Sequence, residues 1–137
     1  MFNRGFTLLE VLIVVIIIGI LASIALLQYT ATIEKASSGE AMINLGAIRV
    51  ALDRYWYQNG SVPTVSNFSA LDIDDPNNIT NKLYIYTFKD DGTTAAQRKY
   101  TVTATRIGKP DTWVRWRQTD NITGKLTRSI NLGGPIS

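Results

Sequence analysis

The chain has 137 residues, of which 45% are hydrophobic and only 18% charged, with a formal net charge of +3. That length suits one domain with an appendage, and the composition excludes a disordered chain, a collagen-like repeat and a multi-span membrane protein. Cysteine and histidine are both absent, which removes disulfides, thiolate nucleophiles, thiolate metal sites and the commonest general base. An enzyme is therefore not expected, no cofactor is implied, and the weak basicity does not by itself mark a nucleic-acid binder.

The first element is apolar. From Phe6 to Leu27 the only formal charge is Glu10. As a helix this stretch spans roughly 33 Å, enough for a hydrocarbon core of about 30 Å. It has no polar face, unlike a helix on the surface of a soluble domain. Arg4 before it favours a cytoplasmic N-terminus and an exported C-terminal part. A cleaved signal peptide ending near Ser23-Ile24-Ala25 and a simple anchor are the plain readings. Glu10 fits neither well, because a carboxylate in a bilayer costs on the order of 3 kcal/mol and tends to mark function. Scission between Gly5 and Phe6 would free an α-amino group on Phe6. A neighbouring copy's amine could then neutralise Glu10, and a subunit out of register would leave a buried charge unpaired.

The run Arg4-Gly5-Phe6-Thr7-Leu8-Leu9-Glu10, followed by uninterrupted apolar sequence, resembles the prepilin signature of type IV pilins and type II secretion pseudopilins. The resemblance implies a leader of residues 1–5, an apolar helix over 6–28 and a globular head over 29–137. It implies cleavage by a prepilin peptidase after Gly5, methylation of the Phe6 amine, and subunit assembly through Phe6 and Glu10. The implied partners are the peptidase, an inner-membrane assembly platform and further copies in a helical filament, with the membrane holding the subunit before assembly. One departure is visible. Many major pilins carry proline where Leu27 stands, and Ile24-Ala25-Leu26-Leu27-Gln28 holds no helix breaker. The helix is expected to be straighter as a result, with Gly19 as its softest point.

The helical pattern continues through Ile33, Ser37, Ala41, Leu45, Ile48, Leu52 and Tyr55, with Ser38, Arg49 and Asp53 largely off that stripe. Arg49 and Asp53 are spaced for a weak pair. Asn59-Gly60 and Pro63 end a helix that would run from about Phe6 to about Gln58, roughly 80 Å in all. Gly39 and Gly46 are weak points or close-packing positions. Residues 61–81 read as a loop with a short helix near Ser66–Leu71. Its Asp72–Asn78 stretch lacks the glycine and distal glutamate of an EF-hand, so a solvated acidic turn is the better reading.

From Lys82 the hydrophobic period becomes two. Strands are expected over Lys82–Phe88, Arg98–Arg106, Thr112–Gln118 and Lys125–Ile130. The turns between them are Asp90-Asp91-Gly92, Gly108-Lys109-Pro110-Asp111 and Asp120–Gly124. The expected fold is α+β: a long N-terminal helix whose amphipathic half packs on a small antiparallel meander of about four strands. Trp113, Arg115, Trp116 and Arg117 form one basic, aromatic cluster. It would suit contact with nucleic acid or another subunit, or it is simply a strand with a tryptophan inside and arginines outside.

The leading expectation is a structural subunit of a type IV pilus, held in the inner membrane and then carried to the cell surface in the filament. The alternatives are a pseudopilin of a type II secretion system and a DNA-binding minor pilin; the absence of proline at Leu27 mildly favours a pseudopilin or a minor pilin.

Overall fold

The structure is a computed structural model, and it describes residues 5–63, 66–92 and 97–135. Residues 1–4, most of the leader expected over 1–5, lie outside that range. Helix α1 runs Leu8–Asn59. Strands β1 (Tyr84–Asp90), β2 (Tyr100–Arg106), β3 (Lys109–Gln118) and β4 (Gly124–Arg128) follow. Short 3-10 turns occupy Phe68–Ala70, Pro76–Asn78 and Ile130–Leu132. The chain forms two compact units, residues 1–35 and 36–137.

The first unit is the apolar start of α1. Its side chains from Leu8 to Leu27 are all exposed, and helix continues unbroken across Gly19 and Leu27. Among the described residues α1 is the one helix long and apolar enough to cross a membrane.

The second unit is a helix-on-sheet domain. The sheet has order β1-β2-β3-β4 and is antiparallel throughout. Each strand alternates, so Tyr84, Tyr86 and Phe88 of β1, Tyr100, Val102 and Ala104 of β2 and Val114 of β3 share one buried face. That face meets Ala41, Leu45, Ile48, Ala51 and Leu52 of α1. The three buried tyrosines carry hydroxyls that need partners, and α1 supplies them. The Tyr84 hydroxyl lies 3.4 Å from Ser37 Oγ. The Tyr86 oxygen accepts from Asn44 Nδ2 at 2.8 Å, and the Tyr100 hydroxyl donates to Asp53 Oδ1 at 2.6 Å. These bonds pin the helix to the sheet in one register.

Gly60 ends α1 in the left-handed region, at φ 68°, and its N–H closes on Trp56 O at 2.8 Å. Only glycine enters that conformation cheaply. The loop after the helix returns along the free margin of β1. There the Asn77 side chain donates to Tyr86 O at 2.9 Å and accepts from Tyr86 N at 2.8 Å. Ser66 exchanges backbone and side-chain bonds with Phe88 in the same way.

Several boundaries differ from the sequence expectation. The turn placed at Gly108–Asp111 is shorter, because Gly108 at φ 76° suffices and β3 begins at Lys109. Pro110 fits inside β3 because the β2–β3 register shifts at Thr105/Arg106, so three residues from 110 to 112 oppose none. β4 is Gly124–Arg128, not Lys125–Ile130, since Ile130 opens a 3-10 turn. Ser38, expected off the helical stripe, is buried, whereas Ile33, expected on it, is 46% exposed. A Cβ added at Gly39 or Gly46 would meet nothing within 4 Å, so neither is a close-packing position within this chain.

Candidate functional site

The predicted site residues fall in two places. Gly5, Phe6 and Glu10 lie in the first unit. Gly5, Phe6 and Thr7 precede the helix in non-helical backbone, and Phe6 is 85% exposed. The Gly5–Phe6 peptide bond thus lies on an accessible, non-helical segment just ahead of α1. Thr7 is the residue before the first helical position, and Glu10 is the third within the helix. Their side chains reciprocate. Thr7 N–H and Thr7 Oγ1 each donate to Glu10 Oε2 at 2.9 Å, and Glu10 N–H donates to Thr7 Oγ1 at 3.2 Å. This is a capping box, and it satisfies orphan donors at the helix start. The helix dipole favours a negative charge at the same end. The carboxylate thus has partners within its own chain, besides any amine a neighbour brings. The signal for this was in the sequence as Thr7-Leu8-Leu9-Glu10, threonine three residues ahead of glutamate before an apolar run.

The second place is the sheet, which separates Trp116 from its neighbours. Trp116 faces α1, where the Arg49 guanidinium carbon lies 4.3 Å from its ring centroid and its Nε1 donates to Gln118 Oε1 at 3.3 Å. Trp113, Arg115 and Arg117 emerge on the opposite, uncovered face. Cross-strand pairing builds rows there: Lys89, Thr101, Arg117 and Lys125 in one, Thr87, Thr103, Arg115 and Thr127 in the next. The Arg115 guanidinium carbon sits 4.5 Å above the Trp113 ring, and its Nε donates to Thr103 Oγ1 at 3.3 Å. A concavity of about 660 Å³ opens over β3 and β4, lined by Trp113, Arg115, Arg117 and Lys125 among others.

Two carboxylates frame this face. Lys89 Nζ lies 2.7 Å from Asp91 Oδ1, and Thr101 Oγ1 also donates to Asp91. Burial works to raise the Asp91 carboxyl, but those two bonds and the charges of Lys89 and Arg117 outweigh it, so it lies below its ordinary value. At the β3–β4 turn Asp120 accepts from the backbone of Ile122 and Thr123 at 2.7 and 2.6 Å, and from the Thr123 hydroxyl. These bonds, the hydroxyl's first, lower its pKa to about 2.

Arg98, almost fully buried, joins three parts of the second unit. Its guanidinium meets Asp53 Oδ1 at 3.3 Å and Tyr57 Oη at 3.3 Å, and donates to the Asn121 carbonyl. Its backbone N–H donates to Asn121 Oδ1 at 2.9 Å. It therefore fixes the β3–β4 turn against the end of α1. The expected Arg49–Asp53 pair is present at 3.9 Å, but Asp53 makes closer bonds with Arg98 and Tyr100. Burial, then the Asp53 acceptor, pushes the Tyr100 hydroxyl well above its ordinary range. The acidic loop uses its charges locally: Asp72 pairs with Arg54 at 2.7 Å, and Asp75 caps the Pro76–Asn78 turn. No cluster that could hold a metal ion occurs among the described residues.

Comparison with known proteins adds the following. The family described as "Prokaryotic N-terminal methylation motif" matches residues 1–26. Type II secretion system core protein G of Escherichia coli (strain K12) is 41% identical over 64 residues, which is 47% of this chain and 44% of that protein. The same-named protein of Vibrio cholerae serotype O1 is 44% identical over 62 residues, 45% of this chain and 42% of that protein. A probable minor fimbrial protein of Dichelobacter nodosus is 41% identical over 64 residues, 47% of this chain and 39% of that protein. The chain thus spans less than half the length of the curated relatives it matches. No solved structure matches it.

Proposed function

This chain belongs to the type IV pilin and type II secretion pseudopilin family, and on that premise we propose that it is a pseudopilin, a structural subunit of a secretion filament. The observation that carries this reading is the pairing of the methylation motif over residues 1–26 with identities of 41% and 44% to type II secretion core protein G. The reading moves away from the surface pilus favoured by sequence alone. Its work is structural, not catalytic.

In this proposal the apolar start of α1 waits in the inner membrane. A prepilin peptidase hydrolyses the Gly5–Phe6 bond, and the new Phe6 amine is methylated. The exposed Gly5–Thr7 segment supports such access. An assembly platform then lifts the subunit out of the bilayer, and neighbouring helices replace lipid around the same apolar surface. Identical head-to-tail contacts that do not close on themselves generate an open filament. Glu10, near the start of each rod, sets register against the adjoining Phe6 amine, because a slipped subunit would leave charge unpaired in an apolar medium. The second unit projects into the periplasm.

Deleting the gene in its own host tests the proposal. Loss of exoproteins from the medium, with surface fibres unchanged, is the expected result. Loss of fibres with secretion intact would instead support a fimbrial subunit, the reading that the Dichelobacter nodosus relative favours.

A further inference from the structure

The uncovered face of the sheet carries more positive charge than its neighbours balance. Arg117 and Lys125 stand directly opposite each other in the β3–β4 register, on the same face. Like charges in that relation repel and lower stability. Arg115 lies two positions along β3 from Arg117 on that face. Among the described residues none of these three cations has a carboxylate within 4.0 Å, and Asp111 is the one carboxylate lining the concavity above them. Beside them the Thr103 hydroxyl, which accepts from Arg115 Nε, keeps its own proton to donate to an oxygen-rich ligand.

We propose that this face docks an extended acidic segment of a partner protein, laid along β3 with carboxylates at every second position. The spacing carries the match. Side chains two apart on a strand repeat at about 6.8 Å, on β3 and on the docked segment alike. Arg115 and Arg117 can therefore each take one carboxylate through paired N–H bonds, and Lys125 shares the second as a point charge. A single-stranded nucleic acid fits less well. Sequence-tolerant binding of that kind rests on bare aromatic rings, and the Trp113 ring already lies under Arg115. The buried aromatics Tyr84, Tyr86 and Tyr100 all point the other way, toward α1. The proposal is independent of whether the filament serves secretion or adhesion.

Fluorescence anisotropy of the full chain in neutral detergent micelles tests it. The probe is a labelled octapeptide alternating glutamate and serine, compared with its glutamine counterpart and with oligothymidine. The glutamate peptide is expected to bind, the glutamine peptide not, and affinity to fall as salt rises. Arg117→Gln should weaken binding about ten-fold, while Arg54→Gln, the same loss of charge at the distant Asp72 pair, should leave it unchanged. Lys125→Glu should abolish binding yet raise the melting temperature by about 2 °C, because it turns a repelling cross-strand pair into an attracting one. Failure of the glutamate peptide to bind, equal weakening by Arg54→Gln, tighter binding of oligothymidine, or a lower melting temperature for Lys125→Glu would overturn the proposal.

Discussion

Thr7 shows how one hydroxyl can give a partner to a charge set at the head of an apolar run. A sequence reader sees Glu10 as an ion in want of an amine, yet the helix start already offers it two donors. Thr7→Ala removes one of these and the acceptor for the Glu10 amide, at a cost of about 1 kcal/mol. Hydrogen exchange in micelles should then show the Glu10 amide exchanging about five-fold faster, with Thr7→Ser restoring protection. In the second unit Tyr100→Phe deletes the bond to Asp53 without changing the shape of the core. Because that acceptor is charged, the loss should be about 2 kcal/mol in urea unfolding. The helical stripe is legible in the sequence, and so is the T-x-x-E pattern of Thr7 and Glu10. The three tyrosine partners are not, because Ser37, Asn44 and Asp53 become neighbours of the sheet only after packing chooses a register.

Elements were easiest to read where one periodicity governs and hardest where a single residue suffices. The inward faces of β1 to β3 follow from alternating hydrophobicity, whereas β4, exposed almost throughout, offers no such signal. The β2–β3 turn was misplaced because four turn-forming residues stand in a row and only Gly108 is needed. Of the two readings of Trp113–Arg117, the structure has the strand with one tryptophan inside and the arginines outside: adjacent residues on a strand point to opposite faces, so Trp116 belongs with α1. The β3–β4 turn is pH-sensitive through Asp120. Its folded pKa lies near 2, below the ordinary 3.8, so its contribution is complete above the latter and is lost as pH falls through the former. Amide exchange of Ile122 and Thr123 should accelerate, beyond the intrinsic trend, as pH falls from 4 to 2. After β4, a Cβ at Gly134 would come within 1.8 Å of the Arg128 carbonyl oxygen, a backbone atom that cannot swing aside. Gly134→Ala should therefore cost about 1–3 kcal/mol in thermal unfolding and free the tail from β4.

For the whole molecule, hydropathy and packing draw different boundaries. Apolar sequence ends near residue 28, whereas burial against the sheet begins at Ser37 and the compact units divide between 35 and 36. Every buried core side chain lies in the second unit. A chain beginning at Ala36 is thus expected to stay soluble and melt in one cooperative transition; a broad, non-cooperative melt would show that the head relies on the apolar rod. That unit also differs at its two margins. Along β1 the amide of Asn77 and the Ser66 backbone and hydroxyl occupy the outward ladder positions of Tyr86 and Phe88. β4 has no such guard from a following strand. A molecule plugged on one flank can gain at most one foreign strand, so mistaken edge pairing between heads stops at a couple and cannot run on into amyloid-like stacks. For the filament subunit proposed above, that is a safeguard built from one asparagine and one serine.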